Sequence, residues 1–189
     1  MILLKIESFP FQKTLLIALI GAIIGQTLIL LISWIKRKVD LWKKKQMVIN
    51  DLKDHNKTFD LVIEKHLELN ELFEKKQTDF FTTSIFQTLQ LDIYNSVSKS
   101  ELYSIFKKDL GILVDIYKSI EFLKNNGPYW IYKDYLEKSN HHLEEKKNEP
   151  NHEFYCEVHM GIIDISKKNI KNNLNTIQEI KKKIEKITK

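Results

Sequence analysis

Two kinds of hydrophobic pattern divide this chain. The run T-L-L-I-A-L-I-G-A-I-I-G-Q-T-L-I-L-L-I-S-W-I, residues 14–35, holds no charged residue, and its polar content is Gln26 and a few hydroxyls. At the helical rise it spans about 33 Å, enough to cross a hydrocarbon core of about 30 Å. A buried core helix of that length would carry a polar face. A cleavable signal peptide would have a shorter apolar region and end at small residues, whereas this run ends at Trp34-Ile35-Lys36-Arg37-Lys38. The pattern predicts an uncleaved transmembrane helix.

Beyond it the apolar residues turn periodic. From Lys36 to about Gln77 there is no Gly or Pro, and Trp42, Ile49, Leu52, Phe59, Ile63, Leu69 and Phe73 recur at near three-and-four spacing, interrupted by Asn56, His66 and Asn70. The transmembrane helix is expected to continue into this one. Thr78 or Asp79 is placed to cap a second helix with a stripe from Phe81 through Ile85, Phe86, Leu89 and Ile93 to Val97. Ser98-Lys99-Ser100-Glu101 has capping-box spacing and should open a third, carrying Leu102, Ile105, Phe106, Leu110, Leu113, Ile116, Tyr117, Ile120 and Leu123. Asn125-Asn126-Gly127-Pro128 reads as a left-handed stop. A short aromatic helix with Tyr129, Trp130, Tyr132, Tyr135 and Leu136 follows, fading into the polar loop Glu144–Pro150.

Asn151 is placed to cap a last helix running nearly to the C-terminus. Ile163, Ile170, Ile177 and Ile184 are spaced by heptads, with Ser166, Asn173, Ile180 and Ile187 at the intervening d positions. Isoleucine at both a and d favours trimers or tetramers in parallel coils. Packing against the chain's own long cytoplasmic helix is the alternative. The expected fold is all-α: a single transmembrane helix continuing into a cytoplasmic helical bundle, coiled-coil-like, with long first and last helices. Residues 1–13 form a short extracytoplasmic segment, 14–35 the span, 36–45 a basic juxtamembrane segment and 46–189 one helical domain.

Composition supports this. Five Gly and three Pro in 189 residues leave little turn punctuation for a sheet protein, and one Cys excludes an internal disulfide. The net charge of +5 conceals blocks: residues 36–45 hold six Lys/Arg against Asp40, residues 46–164 hold 14 Lys against 21 acids, and residues 165–189 hold eight Lys against Glu179 and Glu185. Lys36, Arg37, Lys38, Lys43, Lys44 and Lys45 follow the span, against Lys5 and Lys13 before it. The positive-inside rule then puts the N-terminus outside and the C-terminus in the cytoplasm, anchored in the inner (plasma) membrane. Those six cations are the expected contacts with anionic headgroups, so the basic character does not call for nucleic acid. Gly21 and Gly25, with Ala18 and Ala22, give a small-residue face on which two spans can approach closely.

Candidate chemistry is sparse. His152, Cys156 and His159 share one face at i, i+4 and i+7, with His141 or His142 in reach of a fourth place, and imidazole and thiolate are zinc ligands. No recognised zinc spacing accompanies them, and cysteine is commonly a small buried hydrophobe. These three stand as weak metal-ligand candidates. No phosphate loop, dinucleotide fingerprint or nucleophile elbow occurs. Asp92 and Asp115 are expected on solvated faces and the aromatic group 129–135 in the core. Lys181-Lys182-Lys183, with Lys186 and Lys189, is expected to contact phosphate or membrane, or to form a solvated helix end. No enzymatic activity and no cofactor are expected.

The reading is a membrane-anchored helical scaffold or interaction protein that displays an acidic domain at the cytoplasmic face and self-associates. The expected partners are the bilayer, further copies of the chain and a protein partner. The alternative is a ligand-gated oligomeric effector of the bacterial defence type, its cytoplasmic domain sensing a nucleotide or other anion. The small size and Lys/Ile/Asn richness fit a bacterial or phage-like source.

Overall fold

The computed structural model describes the backbone of residues 9–75, 89–146 and 152–188, and the side chains of 14–75, 89–142 and 157–188. Every regular element among the described residues is helical: α1 Phe9–Glu74, α2 Asp92–Ser96, α3 Lys99–Phe106, a 3₁₀ turn Lys107–Asp109, α4 Leu110–Asn126, α5 Pro128–Lys146 and α6 His152–Thr188. The chain divides into two compact units, Met1–Lys44 and Lys45–Lys189.

The first unit carries the apolar run on α1, with none of its most apolar stretch buried. The second is organised by α1 from Val48 onward. Val48, Leu52, His55, Phe59, Val62, His66, Leu69 and Phe73 are buried, a strict alternation of fours and threes that presents one seam. Ile163, Ser166, Ile170, Asn173, Ile177, Ile180 and Ile184 of α6 are buried in the same way. The heptads of α6 therefore pack within the chain. Lys167 pairs with Glu74 at 2.7 Å, Asn173 meets His66, and Lys181 pairs with Asp60 at 2.5 Å, so α6 runs antiparallel to α1.

The third long member is α4 followed by α5. Tyr117 of α4 bonds Asp51, while Tyr135 of α5 packs edge-on against Phe73 with ring centroids 5.0 Å apart. The α4–α5 pair therefore follows α1 in direction. One core joins Val48, Leu52, Phe59 and Val62 to Leu113, Ile116, Ile120, Ile177 and Ile180. A second joins Leu69 and Phe73 to Ile131, Tyr132, Tyr135, Ile163 and Ile170.

The capping box at Ser98 forms as expected: Glu101 N–H donates to Ser98 Oγ and Ser98 N–H donates to Glu101 Oε2. Three expectations fail. The helix it opens breaks at Lys107, whose φ is 41°. A continuous helix would place Asp109 on the buried ladder that contains Leu102, Phe106 and Leu113; the 3₁₀ turn leaves it exposed. Gly127 is extended (φ −69°, ψ −175°) rather than left-handed, in the β/polyproline region that a following proline favours. Helix α5 runs to Lys146 and is not a short segment. Most of the predicted second-helix stripe lies outside the described residues, and the helical segment that follows begins only at Asp92.

Gly161 lies inside α6, and a Cβ there would meet nothing within 4 Å. Gly161→Ala should raise stability by about 0.5–1 kcal/mol through reduced unfolded-state freedom, seen as a higher Tm by circular dichroism. Ile177 is fully buried, so Ile177→Ala should cost about 2–5 kcal/mol in the same assay.

Candidate functional site

Among the described residues stand an apolar helix with a basic flank, two polar inclusions in the bundle core, and a groove. On the first unit Gly21 and Gly25 face open space, and the apolar side chains around them, such as Ile17, Leu28 and Leu31, are exposed. Thr27 turns its hydroxyl back to the Ile23 and Ile24 carbonyls, which satisfies it without water. Lys36, Arg37, Lys38, Lys43 and Lys45 are exposed and Lys44 is half-buried. Lys38 lies over the Trp34 ring at 5.5 Å and Lys44 pairs with Asp40 at 2.9 Å.

The first inclusion is built from two positions one turn apart on α1, Asp51 and His55, and from Tyr117. The Tyr117 hydroxyl donates to Asp51 Oδ2 at 2.6 Å, and His55 Nε2 stands 3.6 Å from Asp51 Oδ1. Tyr94 of α2 stacks on Tyr117 with centroids 4.1 Å apart, tying the short helix to the bundle. Burial, and then the adjacent carboxylate, push the Tyr117 phenol far above its ordinary range. It stays protonated as a donor, which suits a cross-strut and not an acid or base working near neutrality.

The second inclusion joins three helices. His66 Nδ1–H donates to the Val62 carbonyl at 2.8 Å, which leaves Nε2 as acceptor for Asn173 Nδ2 at 3.1 Å. The same carboxamide nitrogen donates to the Asn126 carbonyl at 2.6 Å, one of the C-terminal carbonyls of α4 that no helical bond can satisfy. Burial drives the His66 pKa down to about 4. The ring is therefore neutral, as its acceptor role requires.

Asn126 and Asn173 also border the groove, a recess of about 550 Å³ between α4, α5 and α6. Trp130, Lys133, Asp134, Glu137, Asn169 and Asn172 complete its polar lining. The Trp130 indole N–H donates to the Lys124 carbonyl at 3.1 Å, and Lys133 stands over the ring at 5.2 Å. Lys133 pairs with Glu137 at 3.6 Å and Lys138 with Asp134 at 2.6 Å, so the charges at the groove are matched and no cation is left over for an anion.

The remaining sequence candidates separate. The side chains of His152 and Cys156 lie outside the described residues. His159 is half-buried, edge-on to Tyr135 at 5.9 Å; burial and then the nearby His142 hold its pKa below the usual histidine value. Among the described residues no group of three or more His, Cys, Asp or Glu side chains gathers as a metal centre would need. Asp92 is exposed, and exposed Asp115 pairs with Lys183 at 3.6 Å. Tyr132 and Tyr135 are buried, while Trp130 faces the groove. No family model, curated protein or solved structure matches this chain.

Sequence reading missed Asp51, His55 and Tyr117 as a cluster and took His66 for an interruption. The signal was the four-three register from Val48 to Phe73, on which both histidines fall.

Unfolded His66 titrates near 6.5 and the folded ring near 4, so between those values the unfolded chain binds more protons. Stability supplied by the neutral ring is complete above pH 6.5 and is lost as pH falls toward 4, on the order of 3 kcal/mol in all. Thermal unfolding of the detergent-solubilised chain should show this slope, and His66→Gln should flatten it. Asn173→Leu, which orphans His66 Nε2 and the Asn126 carbonyl, should cost about 1–3 kcal/mol.

Proposed function

We propose that this protein is a single-span membrane anchor that holds a helical bundle at the cytoplasmic face as a scaffold for interaction. The observation that carries the reading is the uncharged run on α1, none of it covered by the rest of the chain, while the bundle has a complete core of its own. An exposed apolar surface of that extent in water would aggregate, and a bilayer removes it from water. Asymmetric charge supplies orientation: the cations after residue 35 favour the cytoplasm.

The effector alternative would need a pocket for its anion, and the one lysine lining the groove beside Trp130, Lys133, is already paired with Glu137. A neutral ligand suits that lining better than a nucleotide. The scaffold reading therefore stands ahead.

Self-association is assigned to the span. Its Gly21 and Gly25 face is open, whereas the heptads of α6 are occupied by α1.

The protein should stay with the membrane through alkaline carbonate extraction. A C-terminal fluorescent fusion should be bright and a C-terminal alkaline phosphatase fusion inactive; the reverse result overturns the orientation. Light scattering should give a multimeric mass for the full chain in mild detergent, reduced toward the monomer by Gly25→Leu. A wild-type monomer in every detergent and in nanodiscs would remove self-association from the reading.

A further inference from the structure

Contacts along α4 identify one end of the bundle. Tyr117 meets Asp51, and Asn126, farther along α4, meets Asn173, which in turn meets His66. Helix α4 therefore advances in the same direction as α1. Leu110 precedes Tyr117 on α4 and Lys45 precedes Asp51 on α1 by nearly equal stretches, each about 10 Å along its axis. The end of α3 and the turn Lys107–Asp109 thus stand at the end of the Lys45–Lys189 unit where α1 enters it.

At that corner Tyr103 is 65% exposed, and Lys107 and Lys108 are exposed beside it. The two nearby carboxylates are Asp109, on the same turn, and Glu101, which closes the capping box with Ser98. Lys107 is the one non-glycine residue at positive φ among the described residues. That conformation is unfavourable for a residue with a side chain, and such outliers persist where surrounding structure or function requires them. An exposed tyrosine flanked by lysines is the pairing found at lipid interfaces, the ring at headgroup level and the ammonium groups on phosphates. The opposite half of α1 carries Glu64, Glu68, Glu71 and Glu74, the last three paired with Lys65, Lys75 and Lys167, so it offers no comparable set of unpaired cations.

We infer that the corner formed by Tyr103, Lys107 and Lys108 is a second membrane contact, which docks the bundle on anionic lipid headgroups. The inference rests on the membrane-anchor reading. The span holds the bundle at the bilayer, so docking is intramolecular and a few lysines suffice where a free protein would need many. Lys107 and Lys108 engage lipid phosphates while Tyr103 settles among the headgroups, and the acidic half of the bundle turns toward the cytoplasm.

The test uses the full chain in nanodiscs of phosphatidylcholine, with or without phosphatidylglycerol, each containing a headgroup-quencher lipid. A fluorophore is placed at Ser104→Cys, or as a control at Asn140→Cys on α5, in a Cys156→Ser background. Quenching at position 104 should be stronger in the anionic discs, and high salt should abolish the difference as the Debye length falls to about 3 Å. Position 140 should show no such difference. Each lysine removed should lower the docked-to-undocked ratio about fivefold. The double variant Lys107→Gly/Lys108→Gln removes both charges without straining the turn, because glycine accepts positive φ; unchanged far-UV circular dichroism verifies its fold. Equal quenching at position 104 in both lipids, with the protein retained in the discs, overturns the inference and leaves the anchor standing. Failure of the protein to remain with the discs overturns both.

Discussion

The bundle depends on a single seam. Along α1, from Val48 to Phe73, every third or fourth residue is buried, and α6 answers with its own heptads running the other way. An isolated helix has no reason to bury a stripe that narrow; two antiparallel helices do, because each supplies the apolar surface that removes the other's from water. The remaining contacts build on that pair. Helices α4 and α5 cover it in two steps around Gly127 and Pro128. Short α2 and α3 close one end through Tyr94, Val97, Leu102 and Phe106.

Polar residues on the seam set its register. His66, Asn173 and the Asn126 carbonyl form a buried network with donors matched to acceptors, and a slip of either helix would leave these groups unpaired at a cost an apolar slip would not incur. Asp51 and Tyr117 place the same constraint on α4. The neutral imidazole and the protonated phenol follow from burial and favour structure over catalysis. In this they resemble a polar residue at an a position of a coiled coil, which sacrifices stability for specificity of pairing.

The exposed apolar surface belongs to the first unit, along the uncharged run 14–35 of α1. Charge is divided as well: Lys36, Arg37, Lys38, Lys43, Lys44 and Lys45 follow the apolar run on α1, and Glu64, Glu68, Glu71 and Glu74 lie farther along the helix. The groove beside Trp130 has a polar lining, and both of its carboxylates are paired with lysines.

The sequence by itself determined the apolar run, the all-helical class, the capping box at Ser98 and the heptad register of α6. These are local or periodic properties, written in spacing, charge and turn chemistry. It gave four of the eight seam positions on α1, Leu52, Phe59, Leu69 and Phe73. It took Ile49 and Ile63 in place of the adjacent Val48 and Val62, where either neighbour fits the spacing, and it missed His55 and His66, because a polar residue is not counted in an apolar stripe until its partner is known. Tertiary structure alone decided that α6 packs on α1, that the helix after Ser98 breaks at Lys107, and that Asp51, Tyr117, His66 and Asn173 find one another. Those outcomes depend on residues far apart in the chain competing for the same buried surface, and no local pattern records which of them prevails.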